Sequence, residues 1–393
     1  TCALFCLVFA MGTSLSLSTI SSIENNHKNN SDSAIAGASL AAVNKFLLYD
    51  IINLNSKGSC NAVNAIAWSL AVDQKTGSLP LAATFSAVET LKMLELMVHC
   101  GRSDCGRMLG DESVWVLFET CFLIRQHWAS VELLRHAAEN TVAHLVLTVF
   151  SRISDSIKAI TSTSETTTTS SSSSEVKPYG EVVALRVLRH IVSLMEPRIH
   201  GIDTRALALS LVNIILETGG EAVANVSDLV EIMRGDLCKW LLLNSQTEEV
   251  LIVSLTLRVV YNLFNSIKKH MKIQLEVFFI SVHLRIANSI TASPELKELA
   301  LESLLDFCQE PTLMHDLFIN YDCDMHFTNL FEDLCKSLCN NIRPSKSGKI
   351  CTWFSNITSR EYSNTNNTRT HRYTSTSCNG RIDCNYRNHV KTL

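Results

Sequence analysis

Hydrophobic residues recur at steps of three and four along most of this chain, the spacing of the buried face of an amphipathic α-helix. In the first such segment, Leu40, Val43, Leu47 and Ile51 follow these steps, and Ile35 lies one turn before them. The same spacing predicts a series of helices, over residues 34–51, 59–72, 87–101, 112–125, 131–153, 182–195, 204–218, 225–243, 247–266, 272–288 and 294–309. The joins between them are mostly short and polar, so the pattern favours an all-α protein.

Residues that start or stop helices mark several of these boundaries. Ser293-Pro294-Glu295 combines an N-cap, a proline suited to the first helical position and an early carboxylate. Asp203 is likewise predicted to cap the helix over residues 204–218, and Gly219-Gly220 to end that helix. Pro311 marks the end of the last predicted helix, and Gly101–Gly110 is predicted to form a loop.

A long series of helices with short turns predicts a helical-repeat array. No strict repeat of residues is visible, so the repeat would lie in the architecture only. We therefore predict an all-α, armadillo-like α-solenoid in two blocks. A compact helical bundle is the alternative.

A change of composition divides the chain between these blocks. Thr161–Glu175 contains no aliphatic residue, so it cannot bury enough surface to offset the entropy cost of ordering. We predict a disordered Ser/Thr-rich linker here, which serves as a plain spacer or as a phosphorylated segment. The predicted domains are an irregular N-terminus (1–33), a first helical domain (34–158), the linker (159–178), a second helical domain (179–344) and a disordered or aberrant tail (345–393).

Composition and charge give no support for nucleic-acid binding by the chain as a whole. Hydrophobic residues make up 46% of the 393 residues and charged residues only 18%, and the net charge of −4 argues against a nucleic-acid-binding protein. The tail is the exception, since from Arg343 onward nine Lys or Arg residues face two acidic ones. Such a tail could bind RNA or acidic lipid, although an aberrant terminus is the simpler interpretation.

Cysteine usage and the N-terminus indicate a cytosolic location. The 14 cysteines are scattered through helical segments, as expected for reduced, mostly buried thiols. The apolar run Cys2–Met11 is too short to span a bilayer and lacks the basic start of a signal peptide. Because Thr1 is not methionine, we expect the chain to be a fragment.

The sequence offers little support for metal binding or catalysis. Five possible ligands lie close together near the end of the second block, but no Cys-x-x-Cys pair occurs and Zn²⁺ needs about four converging ligands. They are His315, Cys323, His326, Cys335 and Cys339. No P-loop, nucleophile elbow or zincin motif is present, and Trp115, Trp128 and Trp240 read as core. We predict no catalytic residue, no metal and no cofactor.

One short run carries a family resemblance. Asn320–Asp324 (Asn-Tyr-Asp-Cys-Asp) resembles the signature box of the homology-upstream region of large Arf guanine-nucleotide exchange factors of the Golgi brefeldin-A-resistance and GNOM type. Further segments are similar to the same family's dimerisation and cyclophilin-binding domain and homology-upstream region: Ala41–Leu47, Leu91–Leu94, Cys121–Phe122, Glu132–Thr141, Lys177–Gly180 and Gln274–Phe279. The resemblance is collinear over about residues 34–158 and 178–344.

The resemblance implies a regulatory role by protein–protein docking. It implies a docking box at Asn320, Tyr321, Asp322, Cys323 and Asp324, and a dimerisation motif at Asn44, Lys45, Phe46, Lys92 and Glu139. The implied partners are a second copy, the exchange domain of the parent protein, Arf indirectly and the Golgi membrane peripherally, with no nucleic acid. A local alternative exists for the box, because its aspartates could cap a helix and Asn329 with Glu332 could form a capping-box-like pair.

The chain also departs from the family. Residues 1–30 match nothing in it, Leu81–Phe85 replaces an acidic lead-in, and nothing after Pro344 resembles the exchange domain with its catalytic glutamate. We therefore predict a cytoplasmic regulatory fragment without exchange activity, peripheral at Golgi membranes. A helical-repeat scaffold or adaptor without an Arf connection is the alternative.

Overall fold

The computed structural model describes residues 31–49, 59–70, 86–162 and 179–342, and every regular element in these ranges is helical. A helix that continues through a π-turn is given a single label. They are α1 (Ser31–Leu48), α2 (Ser59–Ser69), α3 (Ala87–Arg102), α4 (Asp111–His127), α5 (Glu132–Ser162), α6 (Glu181–Ser193), α7 (Ile202–Ala224), α8 (Ser227–Ile232, a π-turn at Met233–Leu237, then Cys238–Asn244), α9 (Val250–Ile267), α10 (Lys272–Phe278, a π-turn at Phe279–Leu284, then Arg285–Asn288), α11 (Pro294–Gln309), α12 (Pro311–Leu317, continued by a π-turn at Phe318–Asp322) and α13 (Leu330–Ile342).

The helices form two layers. The odd-numbered helices from α1 to α11 each pack against the next odd-numbered helix, and α2, α4, α6 and α8 stack in the same way. Helices of adjacent number also pack across the layers, for example α4 on α5 and α10 on α11. This confirms the predicted all-α helical-repeat, or α-solenoid, class.

The spacing of long-range polar contacts reveals a structural repeat that is not visible in the amino-acid sequence. Asn64 reaches the carbonyl of Met108 44 residues away, and Arg152 reaches that of Gly101 51 residues away. Side-chain bonds between Asn213 and Asn262 span 49 residues. A helical pair of this kind repeats about every 40–47 residues. Each pair therefore contacts mainly its neighbours along the chain.

One hydrophobic core runs through the array. Phe118, Phe150, Phe264 and Phe307 are fully buried in it. Trp115 is buried as predicted, whereas Trp128 and Trp240 are partly buried and pack against the core. The helix Val250–His270 (α9 with its following turn) is long and apolar enough to cross a membrane. It packs between α7 and α11, which accounts for its composition as that of a core helix.

The helices before and after the Ser/Thr-rich segment pack against each other. The backbone N–H of Tyr179 donates to the carbonyl of Leu109 (2.8 Å), and that of Gly180 donates to Asp111 (2.9 Å). The described residues up to Leu338 lie in one compact unit. Of the predicted linker, residues 159–162 are helical, because α5 continues to Ser162. Residues 163–178, like the tail after 342, lie outside the described residues.

Several helix boundaries differ from the prediction. Gly201, not Asp203, occupies the N-cap of α7, and Asp203 lies in the first turn. The helix also passes Gly219–Gly220 and ends at Ala224, with a kink at Gly220, where φ is +46°. Only glycine adopts this backbone without strain, and the added turn buries Val223 in the core.

Other boundaries follow the sequence more closely. The Ser293 hydroxyl accepts from the N–H of Leu296 (3.3 Å) and so caps α11 as predicted. Pro311 occupies the first turn of α12, where its missing N–H costs nothing. Within the predicted loop Gly101–Gly110, Asp104–Met108 form a 3-10 turn. Helix α1 begins at Ser31, inside the predicted irregular N-terminus.

Candidate docking site around Asn320–Asp324

The predicted docking box ends helix α12 and begins the turn to α13. The π-turn Phe318–Asp322 closes when the N–H of Cys323 donates to the carbonyl of Phe318 (3.1 Å). The N–H of Asp324 then donates to the carbonyl of Tyr321 (3.0 Å). Burial varies from residue to residue along this turn, so the five box residues do not share one environment.

Tyr321 anchors the box to helix α10. Its ring is only 3% exposed and meets the ring of Phe327 edge-on at 5.5 Å. The hydroxyl donates to the carbonyl of Lys272 (2.7 Å), in the first turn of α10. Burial raises the pKa of Tyr321, so the phenol remains protonated and keeps this donor.

Asp322 caps helix α13 from eight residues upstream of its first residue. One carboxylate oxygen accepts from the N–H of Phe331 (2.9 Å), and the other accepts from the N–H of Glu332 (3.0 Å). These N–H groups have no partner within the helix, and a negative charge at a helix N-terminus is favourable. The capping role weighed from the sequence is therefore confirmed for Asp322. Asn329 and Glu332 also pair, through their side chains at 3.0 Å.

Asp324 joins the same turn to α10 by an ion pair. One oxygen accepts from the N–H of His326 (3.1 Å), and the other meets the ammonium of Lys272 at 3.0 Å. The His326 N–H, followed by Lys272, lowers the pKa of Asp324. Lys272 also lies 4.1 Å above the ring of Phe327. A cation above an aromatic face adds modest stabilisation at a site of this exposure.

A carboxylate of α10 also binds the turn between α12 and α13. Glu276 accepts from both the N–H and the hydroxyl of Thr328, each at 2.8 Å. Lys272 and Glu276 were not identified from the sequence. They lie about one repeat upstream of their partners (52 residues in each case). Glu276 lies within the family-like segment Gln274–Phe279, whereas this separation was the only signal for Lys272.

The remaining residues of the box face solvent. Asn320 is exposed and donates to the carbonyl of Asp316 (2.9 Å), and Cys323 is an exposed free thiol. Phe318 and Ile319 are about half exposed beside them, and Met325 is 98% exposed. A partner can therefore reach the polar edge of Asn320 and Cys323 and the neighbouring apolar side chains.

Replacing Tyr321 with phenylalanine tests the anchor. Tyr321→Phe removes the hydroxyl and leaves the Lys272 carbonyl without that donor, so we expect the free energy of unfolding to fall by about 1 kcal/mol. Chemical denaturation followed by circular dichroism measures the change. Tyr261→Phe is the matched control, since the Tyr261 hydroxyl bonds to no other described residue. Equal effects of the two substitutions would contradict an anchoring role.

The predicted dimerisation motif is divided between three odd-numbered helices at the other end of the array. Lys45 is exposed on α1, Phe46 is half-buried there, and Lys92 is half-buried on α3, which packs against α1. The side-chain oxygen of Asn44 is buried and has no hydrogen-bond partner among the described residues. These placements leave the role in dimerisation a prediction.

Glu139, the fifth residue of that motif, lies on α5 in an internal charge cluster. Its side chain is 15% exposed and accepts from Arg125 (2.8 Å) and Arg135 (3.3 Å). His136 approaches its second oxygen at 3.2 Å, and Arg125 also reaches the hydroxyl of Thr204 on α7 at 3.4 Å. Glu139 thus contributes to the junction of α4, α5 and α7.

The five sequence-suggested metal ligands do not converge. Within the described ranges, no group of three or more His, Cys, Asp or Glu side chains is placed to hold a metal ion. His315, Cys323, His326 and Cys335 are all exposed.

The helices that hold the box are similar to a domain of known proteins. Residues 183–330, which include the whole box and the helices that hold it, match the HUS domain of Mon2/Sec7/BIG1-like proteins (Sec7-like HUS). The chain is 24% identical over 322 residues to ARF guanine-nucleotide exchange factor GNL2 of Arabidopsis thaliana, which covers 78% of the chain and 23% of that protein. GNOM of the same plant is 25% identical over 385 residues, covering 78% and 26%.

An animal relative supports the same assignment over a shorter range. The Golgi-specific brefeldin A-resistance guanine nucleotide exchange factor 1 homolog of Caenorhabditis elegans is 30% identical over 182 residues, which is 44% of the chain and 9% of that protein. The chain spans about a quarter of the length of the two plant relatives. The resemblance carried by the box is thereby confirmed: residues 183–330 match the Sec7-like HUS domain, and the chain is similar to Arf guanine-nucleotide exchange factors.

Proposed function

We propose that this chain is a non-catalytic regulatory region of a guanine-nucleotide exchange factor for Arf GTPases and that it works by docking to other proteins. The parent protein would activate Arf in Golgi vesicle-mediated transport. The chain would be cytoplasmic and peripheral at Golgi membranes, contacting the exchange domain directly and Arf indirectly. The match of residues 183–330 to the HUS domain and the names of the relatives support the proposal.

The observation that supports the docking role is that some residues of the box bond within the fold while others remain exposed to solvent. Tyr321, Asp322 and Asp324 are used inside the fold, where they hold α10, α12 and α13 together. Asn320 and Cys323 are left exposed, together with the adjacent apolar side chains. A turn fixed from within offers a preorganised surface, which lowers the entropy cost of binding.

The domain assignment is part of the same proposal. Residues 34–158 would form the dimerisation and cyclophilin-binding-like domain, and residues 179–344 the homology-upstream domain, with the chain forming a homodimer. Light scattering of the full chain in reducing buffer tests this directly. We expect a mass of about twice 43.6 kDa. A monomer at micromolar concentration would overturn the homodimer.

A nucleotide-exchange assay separates the regulatory role from catalysis. We expect the chain alone to leave GDP release from Arf unchanged. When added to a separately purified exchange domain of a GNOM-type relative, it should bind that domain and change its rate of GDP release. Acceleration by the chain alone would indicate an enzyme, and absence of both binding and any rate effect would favour the scaffold alternative.

A surface variant tests which part of the box region makes the contact. Phe318→Ser with Met325→Ser should weaken binding to the exchange domain about tenfold or more, because apolar anchors dominate interface energies. Val88→Ser, at an exposed position of α3, is the matched control and should bind like the unmodified chain.

A further inference from the structure

Helices α7 and α9 lie parallel and in register. The side chain of Asn262 donates to that of Asn213 (3.1 Å), and the hydroxyl of Ser266 donates to the carbonyl of Leu216 (3.4 Å). The two pairs are separated by 49 and 50 residues. The same register places Ile202, the first residue of α7, beside Leu251 at the start of α9.

Helix α11 continues this arrangement. The ring of Phe307 meets those of Tyr261 and Phe264 at 5.2 Å and 6.3 Å. A residue of α11 therefore lies beside the residue of α9 that is about 45 positions earlier in the chain. The start of α11 at Pro294 therefore lies near the start of α9. The first turns of α7, α9 and α11, with the turns that precede them, form one edge of the array, which we call the N-terminal edge.

The N-terminal edge exposes an apolar side chain at every helix. Ile199 and Ile202 lie at α7, and Leu251 (55% exposed) lies at α9 beside the partly exposed Val250. Ile290 precedes α11 and is 96% exposed. Single exposed apolar residues are normal in proteins, whereas a row of them on adjacent elements marks an interaction surface.

The same edge is acidic. Asp203, Glu248, Glu249 and Glu295 are exposed there, and none of the four forms an ion pair with another described residue. The segments that form this edge also hold Glu196, Arg198, Arg205 and Lys297, so five negative and three positive charges leave a net −2. Carboxylates in first turns stabilise their own helices, which accounts for the acidic residues but not for the apolar residue beside them.

The charge and spacing together define a partner. An acidic surface repels anionic lipid and nucleic acid, and it attracts a basic segment. Neighbouring helices pack about 8–10 Å apart, and residues seven apart on a helix are about 10.5 Å apart. A helix lying across the N-terminal edge could thus set one apolar side chain against each of α7, α9 and α11.

We propose that the N-terminal edge binds an amphipathic helix of a partner protein, with apolar residues spaced seven apart and lysine or arginine beside them. This is a helix-in-groove type of recognition. It uses neither Asn320–Asp324 nor the predicted dimerisation motif, so it stands or falls independently of the function proposed above.

A designed peptide pair tests the proposal on the full chain. The probe is a fluorescent helical peptide of about three heptads with leucine at every seventh position and lysine at the flanking positions. The control peptide carries glutamate in place of lysine. By fluorescence anisotropy, we expect the lysine peptide to bind at least about tenfold more tightly, and Ile202→Ser with Leu251→Ser to weaken it about tenfold or more.

Charge and position controls decide the outcome. Asp203→Lys with Glu249→Lys should reverse the preference between the two peptides. Val182→Ser with Ile273→Ser, at exposed residues in the first turns of α6 and α10, should leave binding unchanged. Equal binding of both peptides, or equal losses in both pairs of serine variants, would overturn the proposal. Cosedimentation with phosphatidylserine-containing vesicles, lost in Ile202→Ser with Leu251→Ser, would overturn it in favour of a membrane surface.

Discussion

Acidification from pH 7 to pH 4 should reduce the free energy of unfolding by about 3 kcal/mol through His283 alone. His283 is fully buried, and burial lowers its pKa from 6.5 to about 4, against a smaller opposing effect of the hydrogen bond to Phe278. Below pH 6.5 the unfolded chain takes up a proton at this residue while the folded chain does not. The stabilisation is therefore complete above pH 6.5 and is lost as the pH falls toward 4.

The surroundings of His283 favour the neutral ring. One ring nitrogen lies 3.2 Å from the carbonyl of Phe278, and the other lies 3.1 Å from the hydroxyl of Ser303. A neutral imidazole satisfies both contacts when it donates to the carbonyl and accepts from the hydroxyl. The ring also stacks on Phe279 at 5.4 Å and meets Phe307 at 5.5 Å, so a charged ring would lack water.

Comparison with a non-titrating variant isolates the contribution of His283. His283→Gln keeps a polar side chain but removes the ionisable ring, so its stability at pH 7 is the reference for its own pH series. Urea unfolding at pH 7, 5.5 and 4 should show the unmodified chain losing about 3 kcal/mol more than the variant. Parallel losses in the two proteins would contradict the prediction.

The positions of the helices could be read from the sequence because each buries one apolar face. The prediction 294–309 matches α11 (Pro294–Gln309), and the prediction 112–125 lies within α4 (Asp111–His127). The π-turn at Phe279–Leu284 could not be predicted. It inserts one extra residue into a turn without changing the apolar composition, and it is this turn that contains His283.

The candidate site could be predicted only in part, for a related reason. Local rules suggested that an aspartate of the box caps a helix, and Asp322 does. The partners supplied by α10, Lys272 and Glu276, depend on which helix lies next to the box. Stacking order and register decide this, and no repeated residue pattern records them. The kink at Gly220 has the same origin, since burial of Val223 outweighs the local stop signal.

The double cap supplied by Asp322 should have the second largest effect among these predictions. Asp322→Ala leaves the N–H groups of Phe331 and Glu332 without their acceptors, which are 2.9 Å and 3.0 Å away in the folded chain. Loss of a helix cap costs about 0.5–2 kcal/mol, and bonds to a charged acceptor lie at the upper end. We expect the free energy of unfolding to fall by about 2 kcal/mol, with faster amide hydrogen exchange concentrated in the first turn of α13.

Substitutions around Asp322 distinguish this internal role from docking. Asp333→Ala makes the same charge change in the first turn of α13, where the only described partner of the Asp333 side chain is Lys336, at a loose 3.5 Å. It should change stability by less than about 0.5 kcal/mol. Asn320→Ala and Cys323→Ser alter exposed positions of the box, and the bond from Asn320 to Asp316 that the first removes is exposed. Both should therefore weaken binding to the exchange domain while changing stability by less than about 0.5 kcal/mol. If Asp322→Ala instead left both stability and exchange in α13 unchanged, the carboxylate would not be the cap, and its direct participation in docking would become the better explanation.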